Sequence, residues 1–339
     1  MEFSFIGQNK ATFATLVVLL LLLLQNTSSI TLQHKIQSQT TEDKRFEPLA
    51  GIILSELLKL IVSVLYVVQS HRSSPTTFKS TLSALRNGQE EAAIPALLYT
   101  AASFAQSIGA SYLTLLPYLA LSQVKIIITP LLATFLIQQK FTLYHWLFLS
   151  MMTAGIVLAQ VGAAADLSTT AAQSTHIRLL PGILSMLFAG SCVALGSICM
   201  EKSLKRTNCF FVRNAQLAAH SLVFALLSYV GKTRSDFTTF FDGFDARVWL
   251  FVVLQASGGF LVAWCVQITS TVTKNYVQGL GFAMAAALPL AMTRAGVNYQ
   301  LLGGVGLVIG SVFGSAIVGH RSRSTGTVEK VDSVKKSDV

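Results

Sequence analysis

Uncharged apolar runs as long as a membrane helix recur from one end of this chain to the other, and they constrain its fold more than any motif. Residues 141–165, 179–200, 214–231, 248–273, 275–293 and 295–320 hold no Asp, Glu, Lys or Arg. A helix needs about 20 mostly apolar residues to cross the hydrocarbon core of a bilayer, so each run fits one crossing. The stretch 92–124 is too long for one helix; it divides near Leu115–Pro117, and its second part continues past Lys125 to Gln139. The pattern predicts helices near 11–32, 48–69, 93–114, 117–138, 142–164, 179–200, 211–231, 248–268, 272–293 and 299–319. The expected fold is an all-α membrane protein of about ten transmembrane helices.

Composition agrees. Only 12% of the 339 residues are charged and the mean hydropathy is +0.59, against roughly 25% charged residues in an ordinary globular domain. The N-terminal run could pass for a signal peptide, but Ala11 to Gln33 is uncharged for 23 residues. It continues through Gln25, Asn26 and Thr27 without a convincing small-residue cleavage site, so it reads as the first transmembrane helix. The net charge of +10 would suggest nucleic acid in a soluble protein. Here the basic residues sit in short gaps between apolar runs and in the tail, where they fix orientation instead. Ten spans put both termini on one side. Outside the spans that side carries 13 Lys and Arg and the other carries 8, which places the termini in the cytosol.

Ten helices divide into two sets of five, 1–164 and 179–319, with 165–178 as linker and 320–339 as a polar cytosolic tail expected to be disordered. An odd number of helices per set makes the second inverted relative to the first. This is the architecture of secondary transporters whose site lies near the midplane.

Three lysines fall inside the predicted spans or at their edges: Lys59, Lys125 and Lys274. A charge at mid-bilayer costs about 2.5–3.5 kcal/mol even on the lenient insertion scale, so such residues usually face a partner or a wet cavity. Lys59 has Glu56 three residues earlier on the same helical face. The two form a structural pair or share in a site. Lys125 and Lys274 have no acid nearby in their own helices, and the fourth and ninth helices occupy equivalent places in the two halves. Together they can converge on a central cavity and hold an anion of more than one charge, such as a diphosphate or a nucleotide. The alternative for each is a lysine that snorkels to the interface.

Other features are less specific. Cys192, Cys199, Cys209 and Cys265 form no CxxC and no metal-binding spacing, so they read as packing residues, and neither metal nor cofactor is expected. Gly306, Gly310 and Gly314 give the last helix a small-residue face suited to close packing or to a homodimer. Asn26-Thr27-Ser28 matches a glycosylation sequon but lies inside a span. His145 and His220 have no acid or nucleophile at useful spacing, so catalysis is not expected.

Several short motifs occur in a fixed order: Gln25-Asn26-Thr27-Ser28, Ser55-Glu56-Leu57-Leu58-Lys59-Leu60, Ala96-Leu97-Leu98-Tyr99-Thr100, Gln123-Val124-Lys125-Ile126, Trp146, Glu201-Lys202-Ser203-Leu204-Lys205, Arg213-Asn214-Ala215-Gln216-Leu217 and Gly258-Gly259. In that order and spacing they resemble the nucleotide-sugar transporter family, within the drug/metabolite transporter superfamily. The resemblance is to the Golgi carriers of UDP-galactose, UDP-N-acetylglucosamine and CMP-sialic acid. It implies an antiporter that exchanges a cytosolic nucleotide sugar for the lumenal nucleoside monophosphate. By the same resemblance Lys125 and Lys274 meet the phosphates, and Tyr99 and Tyr118 lie near the nucleotide. Ser103, Gln123 and Asn214 are candidate polar readers, with Glu56 and Lys59 gating or shaping the cavity. The chain departs from the family's pattern at Ala102-Ser103, at Ser122 and at Gln267 to Thr271. Another phosphorylated or organic anion is therefore the alternative cargo.

The charge bias predicts that both termini and the Ser70–Ala92 loop face the cytosol. Cysteine-accessibility labelling of sealed vesicles should find all three on that side, and a lumenal C-terminus would overturn the ten-span topology.

Overall fold

Apolar residues dominate each expected span, and in a computed structural model of the protein each of these spans contains helix among its described residues. The structure describes residues 2–39, 46–71, 85–113, 121–138, 141–165, 179–206, 209–233, 240–293 and 299–317, with single positions at 79, 83, 118 and 238. Among them are ten helices: α1 (Glu2–Gln39), α2 (Pro48–His71), α3 (Glu90–Tyr112), α4 (Val124–Leu136), α5 (Leu143–Ala165), α6 (Leu179–Arg206), α7 (Phe210–Thr233), α8 (Ala246–Ile268), α9 (Thr271–Thr293) and α10 (Tyr299–Ile317). Six of them, α1, α2, α6, α7, α8 and α10, contain stretches long and apolar enough to cross a membrane by length and composition. In α4 and α5 the apolar stretches, Val124–Leu136 and Leu143–Ala159, are shorter. The protein is an all-α membrane protein. Nearly all of the expected linker and the expected tail lie outside the described residues.

Local chemistry sets several ends. Pro48 begins α2, where its missing N–H costs nothing. Asp245 caps α8 by accepting from Val248 N–H at 2.9 Å, and the Ser270 hydroxyl accepts from Thr273 N–H at 3.2 Å in the first turn of α9. Two bounds differ from expectation. Helix α6 runs on through charged residues to Arg206, because Lys205 pairs with Glu201 one turn back at 2.5 Å. The regular part of α4 starts at Val124 rather than 117; before it, helix is described only at 118 and 121–122.

The helices pack by a rule that a shift of five reveals. The contact of α3 with α6 has its counterpart in that of α8 with α1. Likewise α4 on α6 corresponds to α9 on α1, and α3 on α7 to α8 on α2, while α2 with α7 and α4 with α9 map onto themselves. Two five-helix repeats related by a two-fold axis would pack this way.

The first helix is fixed by polar clasps to backbone. Gln25 Nε2 donates to Leu254 O at 2.8 Å and Asn26 Nδ2 to Gln278 O at 3.0 Å, and Ser29 Oγ donates to Gln255 Oε1 at 3.2 Å. Glycine makes those approaches possible: a Cβ on Gly258 would stand 2.6 Å from the Gln25 amide carbon, and one on Gly281 would crowd the Asn26 amide. This accounts physically for the Gln25-Asn26-Thr27 and Gly258-Gly259 motifs. On the outside, Phe13, Leu65, Phe135, Leu147, Leu227 and Phe313 stay more than half exposed, as lipid-facing side chains do.

The small-residue face of α10 differs in detail from the expected one. Gly310 and Gly314 face Met151 and Phe148 of α5, but Gly306 faces open space. Gly304 packs backbone to backbone on α5, where its Cβ would fall against Ala159 N and lie 2.6 Å from Gly155 O. Gly304→Ala should therefore lower the melting temperature in detergent, by roughly 1–3 kcal/mol of overpacking. Gly306→Ala should be neutral, and equal effects in the two variants would contradict this packing.

Candidate functional site

The site begins on α6. A Cβ on Gly196 would lie 3.3 Å from Leu98 Cβ and 3.6 Å from the Tyr99 ring, and one on Gly190 would lie 3.5 Å from Lys125 N. Two glycines on one helix thus let α3 and the start of α4 lie close against it. Ser197, Glu201 and Lys205 follow at four-residue spacing, a polar stripe buried at Ser197 and Glu201 and exposed at Lys205.

Ser197 Oγ is the hub. It lies 3.0 Å from Tyr99 Oη and accepts from Lys274 Nζ at 3.2 Å. Its carbonyl accepts from Thr271 Oγ1 at 3.2 Å. Glu201 Oε2 accepts from Thr271 N–H at 2.8 Å, which puts a carboxylate on the positive end of α9. Lys274 is only 6% exposed, and the charges of Glu201 and Lys125 both act on it. Lys125 lies with Nζ 6.0 Å from the centre of the Phe282 ring on α9. Its Nζ makes no hydrogen bond or ion pair among the described residues. Helices α3, α4, α6 and α9 thus meet at this network, with Lys274 bonded into it and Lys125 beside Phe282.

A cavity of about 720 Å³ lies beside this cluster between α2, α3 and α7. Tyr99, Thr100 and Glu56 line it, and Glu47 and Lys232, paired at 2.8 Å, stand at its edge. Neither Lys125 nor Lys274 lines the cavity. Tyr99 is the wall between, with its ring on the cavity and its hydroxyl on Ser197.

The remaining candidates scatter. Lys59 Nζ pairs with Glu56 Oε1 at 2.7 Å, and its stem crosses α8 where a Cβ on Gly259 would lie 2.7 Å from Lys59 Cδ. Gln123 is buried and donates to Ser122 Oγ at 2.9 Å. Asn214 is buried but its amide donates to Phe210 O of its own helix at 2.9 Å. Tyr118 is half-buried, and the Ser103 side chain lies outside the described residues. Sequence reasoning left out Ser197 as a site residue and treated Glu201 only as a motif residue at a helix boundary. The polar stripe on α6 was the signal for both.

Apolar helices that turn lipophilic faces outward and enclose a buried polar network that includes Lys274 define a multi-pass membrane transporter. Residues 10–315 match the family described as nucleotide-sugar transporter, and the chain belongs to that family. It is similar to the UDP-galactose transporter of Schizosaccharomyces pombe, 28% identical over 88% of this chain and 86% of that protein. It is also similar to the UDP-N-acetylglucosamine transporter of Rattus norvegicus, 25% identical over 79% of this chain and 84% of that protein. A solved crystal structure superposes with a TM-score of 0.62 at 14% identity, covering 89% of this chain and 97% of that one, and shows the shared fold. The protein is a transporter and not an enzyme.

The Glu56–Lys59 side chains are 14% and 15% exposed, and Glu56 Oε2 has no hydrogen-bond partner. Breaking a buried pair on one side leaves an uncompensated charge and typically costs about 3–5 kcal/mol. Glu56→Gln should lower protein level and melting temperature, and the neutral double variant Glu56→Gln/Lys59→Met should recover part of the loss. Full stability of the single variant would mean that water already solvates the pair.

Proposed function

We propose that this protein is an antiporter that carries a nucleotide sugar from the cytosol to the Golgi lumen in exchange for the nucleoside monophosphate. The cargo in this reading is a UDP-sugar such as UDP-galactose or UDP-N-acetylglucosamine, which the similarity to carriers of those sugars supports. The observation that carries the proposal is that Lys274 is buried on α9 while Lys125 of α4 lies 6.0 Å from the ring of Phe282 on the same helix, with no acid pairing Lys125 among the described residues. Two cations held together in a dry site repel each other, and a phosphate chain between them would relieve that repulsion. Tyr99 and Tyr118 would lie beside the nucleotide; Ser103, Gln123 and Asn214 would contribute polar contacts; Glu56 and Lys59 would shape the cavity.

No covalent step is needed. The halves 1–164 and 179–319 would move against each other as two bodies, and each facing state would bind the same anion. The altered positions Ala102-Ser103, Ser122 and Gln267 to Thr271 favour a second reading, in which the same two lysines hold another phosphorylated or organic anion. A homodimer through lipid-facing surface is compatible with either.

Removing either lysine should weaken nucleotide binding by the worth of a charge-assisted hydrogen bond, about 1.5–3 kcal/mol, or about ten- to more than a hundredfold in Kd. Binding of nucleoside mono- and diphosphates to purified Lys125→Ala and Lys274→Ala, with uptake of a nucleotide-sugar panel into proteoliposomes, tests this. Arginine at either position should restore only part of the affinity, since its planar fork does not replace a compact ammonium. Unchanged affinity in both alanine variants would end the phosphate reading. Uptake of a non-nucleotide anion alone would favour the second.

A further inference from the structure

Asn275, next to Lys274 on α9, is a polar side chain without an evident structural use. It is 6% exposed, and its Nδ2 has no hydrogen-bond partner among the described residues. Nearly all buried polar groups in folded proteins are bonded, because an orphan loses its water and gains nothing. Packing alone would be better served at this position by an apolar residue of similar size.

Its place on the helix supplies a reason. At 3.6 residues per turn Asn275 and Phe282 differ by about 20° around α9, so they share a face. Lys125 Nζ lies 6.0 Å from the centre of the Phe282 ring. The same ammonium also acts electrostatically on Lys274. Lys125 Nζ therefore approaches the face of α9 that carries Asn275, and Lys274 is the preceding residue on the same helix. Among the described residues neither Nδ2 nor Lys125 Nζ has a hydrogen-bond partner, and Lys274 Nζ has Ser197 Oγ.

A neutral donor suits that position. Two lysines supply the charge an anion of this kind requires, and a third cation would raise the repulsion in the empty site. An amide adds a directional hydrogen bond at no cost in charge. We propose that Asn275 is a substrate-contacting residue that sets specificity, its Nδ2 donating to a phosphate oxygen of the nucleotide held by Lys125 and Lys274. This rests on the phosphate reading above and adds a contact that orients the phosphate within the site.

The test uses the purified full-length protein and its Asn275→Ala, Asn275→Ser, Asn275→Asp and Lys125→Ala variants. UMP, CMP, AMP and GMP are the probes, each compared with its nucleoside, and melting temperature is read without ligand. Wild type should bind at least one nucleotide more tightly than its nucleoside. Asn275→Ala and Asn275→Ser should each weaken that nucleotide about tenfold, the worth of one hydrogen bond to a charged group, and leave the nucleoside unchanged. Asn275→Ala should melt no lower than wild type, since the donor it removes is unpaired. Asn275→Asp should bind the nucleotide worse still and melt higher, because its carboxylate would pair with the lysines in the substrate's place.

Unchanged nucleotide affinity in the alanine and serine variants, with loss in Lys125→Ala, would overturn the role of Asn275 and leave the phosphate site standing. Equal loss for nucleotide and nucleoside would mean a distorted cavity and would overturn it too. A wild type that prefers no nucleotide to its nucleoside would overturn the phosphate reading itself, and this proposal with it.

Discussion

Two ammonium groups held within reach of each other inside a membrane protein are the constraint around which the rest of this structure is arranged. Like charges in a low-dielectric setting repel far more strongly than in water. A fold that keeps Lys125 and Lys274 together must therefore hold each helix firmly by other contacts. Lys274 is offset in part by Ser197 and by the nearby Glu201, which also anchors the start of α9 through Thr271 N–H. Lys125 Nζ lies 6.0 Å from the centre of the Phe282 ring and pairs with no acid among the described residues.

Glycine does the holding. In lipid, helices gain nothing from leaving water, so close backbone packing and polar clasps must carry association. Gly190 and Gly196 admit α4 and α3 to the surface of α6, Gly258 and Gly281 admit the Gln25 and Asn26 amides of α1, and Gly155 meets Gly304. Each contact serves a pair of helices that the five-helix shift relates to another pair or to itself. Several of the motifs are points where distant helices touch: Gln25 and Asn26 reach α8 and α9, Lys59 reaches α8, Tyr99 reaches α6 and Glu201 reaches α9.

That arrangement explains what could be read from sequence. Helix existence was legible because the bilayer demands length and apolarity, and both are local properties. The Glu56–Lys59 pair was legible because its partners lie one turn apart. Tyr99 and Lys274 were singled out separately, but the hydroxyl of Ser197 that joins them comes from a third helix, nearly a hundred residues from Tyr99. Asn275 was hidden for a different reason: an asparagine beside a lysine near a helix start reads as interfacial polarity. Only its burial and the missing partner of Nδ2 distinguish it. The stripe Gly306, Gly310 and Gly314 was read as one face, yet four-residue spacing drifts around a 3.6-residue helix. Gly306 accordingly looks away from α5.

The polar contacts also differ in how easily they can be broken, and the difference follows position along α7. At its start Arg213 reaches Glu91 at 3.0 Å and Gly88 O at 2.6 Å, while Gln216 Nε2 donates to Leu85 O and Asn87 O. At its end Lys232 pairs with Glu47 at 2.8 Å. Glu91 and Lys232 are each substantially exposed, at 44% and 56%, and exposed ion pairs contribute only about 0–1 kcal/mol. The Tyr99–Ser197–Lys274 chain, by contrast, is buried, and a broken bond there leaves donors with nowhere to turn. The Glu47–Lys232 pair at the end of α7 is therefore weak enough to exchange with water, while at its start Arg213, 11% exposed, and the buried Gln216 side chain hold more firmly. The central network resists exchange in the same way, because polar atoms buried from water lose a bond they cannot replace.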